Sequence, residues 1–332
     1  MKDHLLEIKD LKVSFFTPAG EVKAVNGVTY DLDEGRVLGI VGESGSGKSV
    51  SVSAMMQLLA YPGRVVGGSI TFNGQDVLAM NPEQIQAVRG KDIGMVFQDP
   101  MTSLNPVFTI GDQLTETLLR HTKLNHSEAW DRSVEMLKLV GINNPEQRMK
   151  QYPHEFSGGM RQRAMIAMTL LCNPKLLIAD EPTTALDVTI QAQIMDLMKR
   201  LREKFNAAII LITHDLGIVS DICDDVIVMY AGRIVERGTT DDIFYRAAHP
   251  YTQGLLRCLP RLDSDRSKPL EPIEGSPVDL LAMPKGCAFA PRCKHCMKVC
   301  LSHQPPTYEI GEGHTSVCWL HALDIEGEVQ QS

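Results

Sequence analysis

Residues 42–49 read GESGSGKS, directly after the apolar run VLGIV at 37–41 and directly before VSVSAMMQLLA at 50–60. A plain loop closing a buried strand has little use for glycine at 42, 45 and 47 together. Glycines let successive backbone N–H groups turn toward one anion, and the start of the following helix adds partial positive charge. The spacing G-x-x-x-x-G-K-[ST] runs from Gly42 to Ser49 between a strand and a helix, the setting this pattern requires. The residues expected around a bound polyphosphate are Gly42, Glu43, Ser44, Gly45, Ser46, Gly47, Lys48, Ser49 and Val50. Lys48 can reach the outer phosphates, and the Ser49 hydroxyl can ligate Mg²⁺.

Such a cradle needs an acid-tipped strand as its second half, and LLIADEP at 176–182 supplies one. Asp180 is expected to hold Mg²⁺ through water, and Glu181 to face the attacking water. Phosphoryl transfer asks for charge neutralisation and a positioned nucleophile more than for covalent help. Alone, an acid pair at a strand end is more often a solvated edge; beside the glycine loop the chemical reading gains the upper hand.

The chain has 332 residues, which suggests two domains, and 43% apolar residues, enough for a sizeable core. Its formal net charge of -8 argues against a general nucleic-acid coat, because phosphate binding normally leaves a basic surplus. The start, MKDHLLEIKD, carries charges where an export signal needs an apolar run. Apolar runs such as AAIILI are too short to span a bilayer, so a soluble, cytoplasmic chain with room for a membrane partner is expected. Of eight cysteines, Cys172, Cys223 and Cys258 stand alone and read as small buried side chains. The other five crowd between 287 and 318, a pattern that in a reducing compartment points to metal.

Strand signals dominate the opening: LLEIKDLKVSFF, VKAVNGVTYDL, RVLGIVG, GGSITFNGQDV with its Asn-Gly turn, and IGMVFQD. Helical spacing follows in IGDQLTETLLRH, HSEAWDRSVEMLKLVG and SGGMRQRAMIAMTLL. Then come the strand KLLIADEP, the helix VTIQAQIMDLMKRLREKF, the strand AAIILITHD, a short helix and the hairpin DVIVMYAGRIVERG. This alternation predicts an α/β fold with a largely parallel sheet interrupted by a helical insert. HPYTQGLLRCLPRL is expected as the last helix, and the Pro- and charge-rich DSDRSKPLEPIEGSP as a linker.

Between the cradle and the acid strand lies FSGGMRQR, residues 156–163, where glycines again open a helix. With it the chain resembles the nucleotide-binding subunits of ATP-binding-cassette (ABC) transporters, over residues 5 to about 255 and in the order that family uses. The resemblance rests on Gln98 in FQDP, SGGM at 157–160, TALD at 184–187 and His214 in LITHD. It implies a P-loop NTPase cassette over residues 1–250, with a RecA-like core, an antiparallel β subdomain and a helical signature subdomain at about 100–172. It implies that Phe15, or as second choice Phe16, stacks on adenine, that Gln98 joins the Mg²⁺ site, and that His214 is the switch histidine. Glu181 becomes the catalytic acid, with Asp187 in the loop that follows it. Two such subunits pack head to tail, so that Ser157, Gly158 and Gly159 complete the partner's ATP site. One departure is visible: the signature's fifth position is commonly Gln, whereas here it is Met160, with Gln162 two residues on. The loop QDPMTSLNPV would contact a permease, with Met101 and Leu104 equally suited to docking or to the core.

GCAFAPRCKHCMKVC at 286–300, plus VCWLH near 318, gives C-x5-C-x2-C-x3-C and a distant fifth cysteine. Four thiolates suit Zn²⁺ or a [4Fe–4S] cluster, and the spacing does not choose between them. Residues 251–332 resemble the C-terminal extension of ATPase subunits in oligopeptide and dipeptide importers. That likeness implies an iron–sulfur site at Cys287, Cys293, Cys300 and Cys318, with Cys296 extra or a substitute, and a structural role for the metal. It also implies a second, distinct ATPase subunit, two membrane permeases, an extracytoplasmic peptide-binding protein, and a peripheral place on the cytoplasmic face of a bacterial inner membrane. The expected activity is ATP hydrolysis coupled to oligopeptide import. Dipeptides, nickel or cationic peptides are alternative cargoes. A soluble ABC ATPase acting on DNA or ribosomes is the reading from another class, disfavoured by the single cassette, the acidic balance and the lack of a coiled coil.

Overall fold

The computed structural model describes residues 4–99, 103–184, 187–259 and 272–322. Twelve strands occur among them: β1 (Leu6–Thr17), β2 (Gly20–Leu32), β3 (Val37–Val41), β4 (Gly63–Phe72), β5 (Gln75–Asp76), β6 (Ile93–Val96), β7 (Leu176–Asp180), β8 (Ala208–Ile212), β9 (Asp225–Tyr230), β10 (Arg233–Thr239), β11 (Tyr308–Gly311) and β12 (His314–Ser316). The chain divides into two compact units. One comprises Met1–Leu5, Leu32–Val37 and Ala79–Ile212, the other Leu6–Asp31, Leu38–Leu78 and Thr213–Ser332.

In the first unit β6, β7 and β8 run parallel, with Ile93 opposite Leu176 and Leu176 opposite Ala208. Every residue of β7 and β8 is buried, as expected of strands covered on both faces. The helices Ile110–His121, His126–Leu139, Gly158–Leu170 and Val188–Phe205 match the helical spacing of the sequence. Their starts are chemically marked. Thr109 with Asp112, and Asn125 with Glu128, form reciprocal capping boxes that satisfy otherwise orphaned N–H groups. Asn206, in a left-handed conformation, ends the last of the four. A further helix, Pro82–Val88, lies where no helix is expected; it too opens on a capping box, Asn81 with Gln84.

In the second unit a small sheet has the order β2-β1-β4-β5, with β1/β4 and β4/β5 antiparallel. The predicted Asn73-Gly74 turn has φ of 49° and 76°, the positive pair that a tight hairpin needs. The fully buried β3 pairs in parallel with β9, and β9 returns antiparallel as β10. The C-terminal region then adds to this layer. β12 pairs with β10 and β11 with β12, both antiparallel, a hairpin the sequence reading does not anticipate. Glu236 on β10 is fully buried, accepts the N–H groups of Ala248 and His249, and pairs with Nε2 of His314 on β12 at 2.9 Å. A buried carboxylate persists only when so completely paired.

HPYTQGLL forms the helix Pro250–Arg257, which is not the last: a short helix, Lys298–Ser302, follows it. Most of the expected linker, residues 263–271 of 263–277, lies outside the described residues, as do Met101, Ala185 and Leu186. Among the described residues no helix is long and apolar enough to cross a membrane.

Candidate functional site

The 42–49 loop is shaped by what stands behind it. A Cβ on Gly42 would lie 2.2 Å from the Met229 carbonyl oxygen, and one on Gly47 2.4 Å from that of Ala24, so β9 and β2 admit only glycine there. Gly45, with φ of 78°, faces open space instead. The β9–β10 turn braces the loop, since Gly232 N–H donates to the Ser46 carbonyl at 2.9 Å. Lys48 is buried, and its Nζ donates to the carbonyls of Gly42 at 2.8 Å and Glu43 at 3.0 Å. Among the described residues the buried Ser46 hydroxyl has no hydrogen-bond partner. Lys48 begins the helix Lys48–Met55, whose first turn contains Ser49 and Val50. An orphaned hydroxyl, an open glycine face, a helix start and a buried cation together form a cradle for anionic oxygens.

In the other unit β7 ends on the buried Asp180, and the chain turns at Glu181 with φ of 47°. A non-glycine residue in that conformation is strained and is kept where the surroundings fix it. Here they do: Glu181 N–H donates to the Ile212 carbonyl at 2.9 Å. The Glu181 carboxylate accepts Gln98 Nε2 at 3.0 Å and the Thr184 hydroxyl at 2.8 Å. The sequence reading names Gln98 but gives no role to Thr184, although it opens the TALD stretch three residues after the acid. Gln162 is almost completely buried and donates from Nε2 to the Pro182 carbonyl at 2.6 Å, bracing the residue after Glu181. The glutamine displaced from the expected signature position thus serves the acid turn.

Ser157 caps the helix Gly158–Leu170 by accepting the Met160 N–H at 3.3 Å. Gly159 packs against Ile190, where a Cβ would come within 3.0 Å of its side chain. Asp187 caps the helix Val188–Phe205 through the Ile190 N–H at 3.0 Å. His214 is exposed just beyond β8. Phe15 is half-buried against Gly63, whereas Phe16 is 44% exposed with the Arg64 guanidinium 5.6 Å from its ring centre. Leu104 is buried, which favours its core reading. Among the described residues of that loop Val107 is an exposed apolar side chain, as is Phe108 directly after it.

Cys287, Cys293, Cys300 and Cys318 line one small pocket, walled by apolar groups that include Phe289 and Trp319. Cys296 is exposed and outside it. Burial raises the pKa of Cys287 and Cys293, and burial with the other three thiols beside it pushes Cys318 up to about 11. Such thiols stay protonated unless a cation compensates, which is the chemistry of a soft-metal donor set. Among the described residues, however, no three His, Cys, Asp or Glu side chains stand in a metal-holding arrangement. Of the isolated cysteines Cys223 is buried, whereas Cys172 and Cys258 are half-buried.

Two residues that the sequence reading overlooks reach the phosphate loop from the C-terminal region. The Tyr251 hydroxyl accepts the Glu43 N–H at 2.8 Å, and Arg292 grips the Glu43 carboxylate with bonds of 2.6 and 3.0 Å.

Residues 25–184 match the ABC transporter family, and residues 235–300 match the oligopeptide/dipeptide transporter C-terminal region. The chain is 55% identical over 317 residues to the oligopeptide transport ATP-binding protein OppD of Bacillus subtilis, covering 95% of this chain and 88% of that one. It is 55% identical over 315 residues to OppD of Salmonella typhimurium, covering 95% and 93%. To the dipeptide transport ATP-binding protein DppD of Bacillus subtilis it is 52% identical over 328 residues, covering 98% of each. Among solved structures it is similar to the ATP-binding cassette MJ0796 in a dimeric post-hydrolysis state bound to ADP and Pi. The TM-score there is 0.64 at 25% identity, covering 71% of this chain and 98% of that one. It is also similar to cbiO1 of Clostridium perfringens, part of the ABC transporter complex cbiONQ, with TM-score 0.62 at 28% identity, covering 74% and 93%.

Proposed function

Because the chain belongs to the ATP-binding subunits of ABC transporters, in the branch that carries the oligopeptide/dipeptide C-terminal region, we propose that it hydrolyses ATP to drive peptide import, oligopeptides foremost, through a membrane permease. The observation that carries the cargo is the match over residues 235–300, since the phosphate cradle would look the same in a cassette of any other cargo. The likeness to a dipeptide transport protein makes dipeptides the second reading. The proposed assembly has two permeases, a second and distinct ATPase subunit, and an extracytoplasmic peptide-binding protein, with this chain peripheral on the cytoplasmic face of the inner membrane. Val107 and Phe108 are the apolar groups offered to a permease.

Each side chain has a role in this proposal. Gly42, Glu43, Ser44, Gly45, Ser46, Gly47 and Val50 contribute backbone N–H groups or shape to the phosphate cradle, and Lys48 the cation. Phe15 stacks on adenine. Ser49, Gln98 and Asp180 hold Mg²⁺, which when bound neutralises phosphate charge. Glu181 accepts the proton of the attacking water, held in position by Gln98 and Thr184. His214 and Asp187 sense the state of the nucleotide, and Ser157, Gly158 and Gly159 serve the partner's ATP. The cassette function is assigned to residues 1–250, with its helical part at about 100–172, and the extension to 251–332. Deleting the gene should abolish uptake of labelled tri- to pentapeptides, and restoring it should recover uptake. Unchanged uptake of every peptide length would remove the cargo reading.

Cys287, Cys293, Cys300 and Cys318 are proposed to hold a [4Fe–4S] cluster, with Zn²⁺ as the alternative, because these four share a pocket and Cys296 does not. When bound, the metal would staple a region poor in large apolar residues. Anaerobically purified protein should carry about four irons per chain and absorb broadly near about 400 nm. Cys300→Ser should lose the metal and lower the melting temperature, while Cys296→Ser keeps both. Zinc in elemental analysis would select the alternative, and no metal at all would end the proposal.

A further inference from the structure

Glu43 is held at its amide, its carbonyl and its carboxylate. Its N–H donates to Tyr251, its carbonyl accepts Lys48 Nζ, and its carboxylate takes two bonds from Arg292. The Arg292 side chain is only 4% exposed, so this is not a solvated surface pair. The guanidinium is itself directed by its neighbours. It donates to the carbonyls of Ile273 at 3.2 Å and Glu274 at 3.1 Å, and lies 5.9 Å from the Tyr230 ring centre and 6.0 Å from that of Phe289. A planar, bidentate, partly desolvated contact of this kind fixes direction as well as charge. Nearby, Pro277, Val278 and Leu280 wall a small pocket with Glu43–Ser46, so the C-terminal region meets the phosphate loop at a second place.

A carboxylate in a phosphate loop is a liability, because unpaired it repels the polyanion the loop is built to hold. Glu43 also supplies a carbonyl on which Lys48 rests. We propose that Arg292, with Tyr251, is a positioning residue for nucleotide binding: it neutralises Glu43 and fixes the first turn of the phosphate loop. The C-terminal region is then part of its own chain's nucleotide site. This rests on the reading that residues 42–49 bind ATP.

The test is calorimetric titration of the full-length chain with Mg²⁺ and a non-hydrolysable ATP analogue. Arg292→Ala should weaken binding about tenfold, the loss of one charged pair, and Arg292→Lys by less. In a Glu43→Gln background the same Arg292→Ala change should cost under about threefold, because the charge it neutralised is gone. In the assembled transporter KM for ATP should rise while kcat stays within about twofold. Affinity within about twofold of wild type, or an equal loss in both backgrounds, would overturn the proposal. Should Arg292→Ala fail to fold, Tyr251→Phe decides: about threefold weaker binding is expected, and unchanged binding overturns it. No heat with the wild-type chain itself would instead overturn the ATP reading of the loop.

Discussion

Glu181→Gln is expected to cut ATP turnover about a hundredfold or more while leaving nucleotide affinity within about twofold, the usual signature of a lost general base. The substitution is close to isosteric. Its side-chain carbonyl can still accept from Gln98 and from the Thr184 hydroxyl, the two contacts that hold the acid now. The positive φ of 47° belongs to the backbone, and the N–H bond from this position to the Ile212 carbonyl does not depend on the side chain. What disappears is the ability to take a proton from water. The nucleotide should therefore bind and remain uncleaved, and the closed pair of ATPase subunits should accumulate in sedimentation or cross-linking. Turnover near the wild-type rate would show that Glu181 is not the base. The bracing gives a graded control: Thr184→Ala leaves the carboxylate intact and should have a smaller effect.

Lys48→Ala should reduce nucleotide affinity about a hundredfold and abolish measurable turnover, because a buried cation in direct contact with phosphate is worth several charge-assisted hydrogen bonds. Lys48 is the sole cationic residue of the 42–49 loop, and Glu43 carries the opposite charge. Removing the lysine leaves the incoming polyphosphate with backbone N–H groups and a helix start but no formal positive charge from the loop. It also removes the Lys48 donor from the carbonyls of Gly42 and Glu43, the second of which keeps the Ser46 N–H at 3.2 Å. Calorimetry with Mg²⁺ and a non-hydrolysable analogue reads the affinity directly, and retained binding would sink the cradle reading. Lys48→Arg separates charge from shape. It keeps the cation but is too large for a nearly fully buried position, so it should rescue little.

The cradle was legible in the residues because its chemistry is local. Gly42, Gly47 and Lys48 act through backbone freedom and charge at fixed spacing, and the strand and helix on either side announce themselves by hydrophobic pattern. The same holds for the acid strand, whose five buried residues end on Asp180. The helix Pro82–Val88 was missed because only Ile85 on it is buried, so no apolar stripe betrays it. The hairpin β11–β12 was missed because its strands are only four and three residues long and take their order from β10.

The sequence alone determined the nucleotide chemistry and the order of the elements that bear it, since both follow from short-range spacing and periodicity. Only the tertiary structure decided which distant side chains meet. Gln98 meets Glu181 across 83 positions of chain, Arg292 meets Glu43 across 249, and four of five clustered cysteines share a pocket while Cys296 stays out. Such pairings depend on strand register and on desolvation, which bring remote groups together and penalise any left unpaired, and neither is written in local pattern.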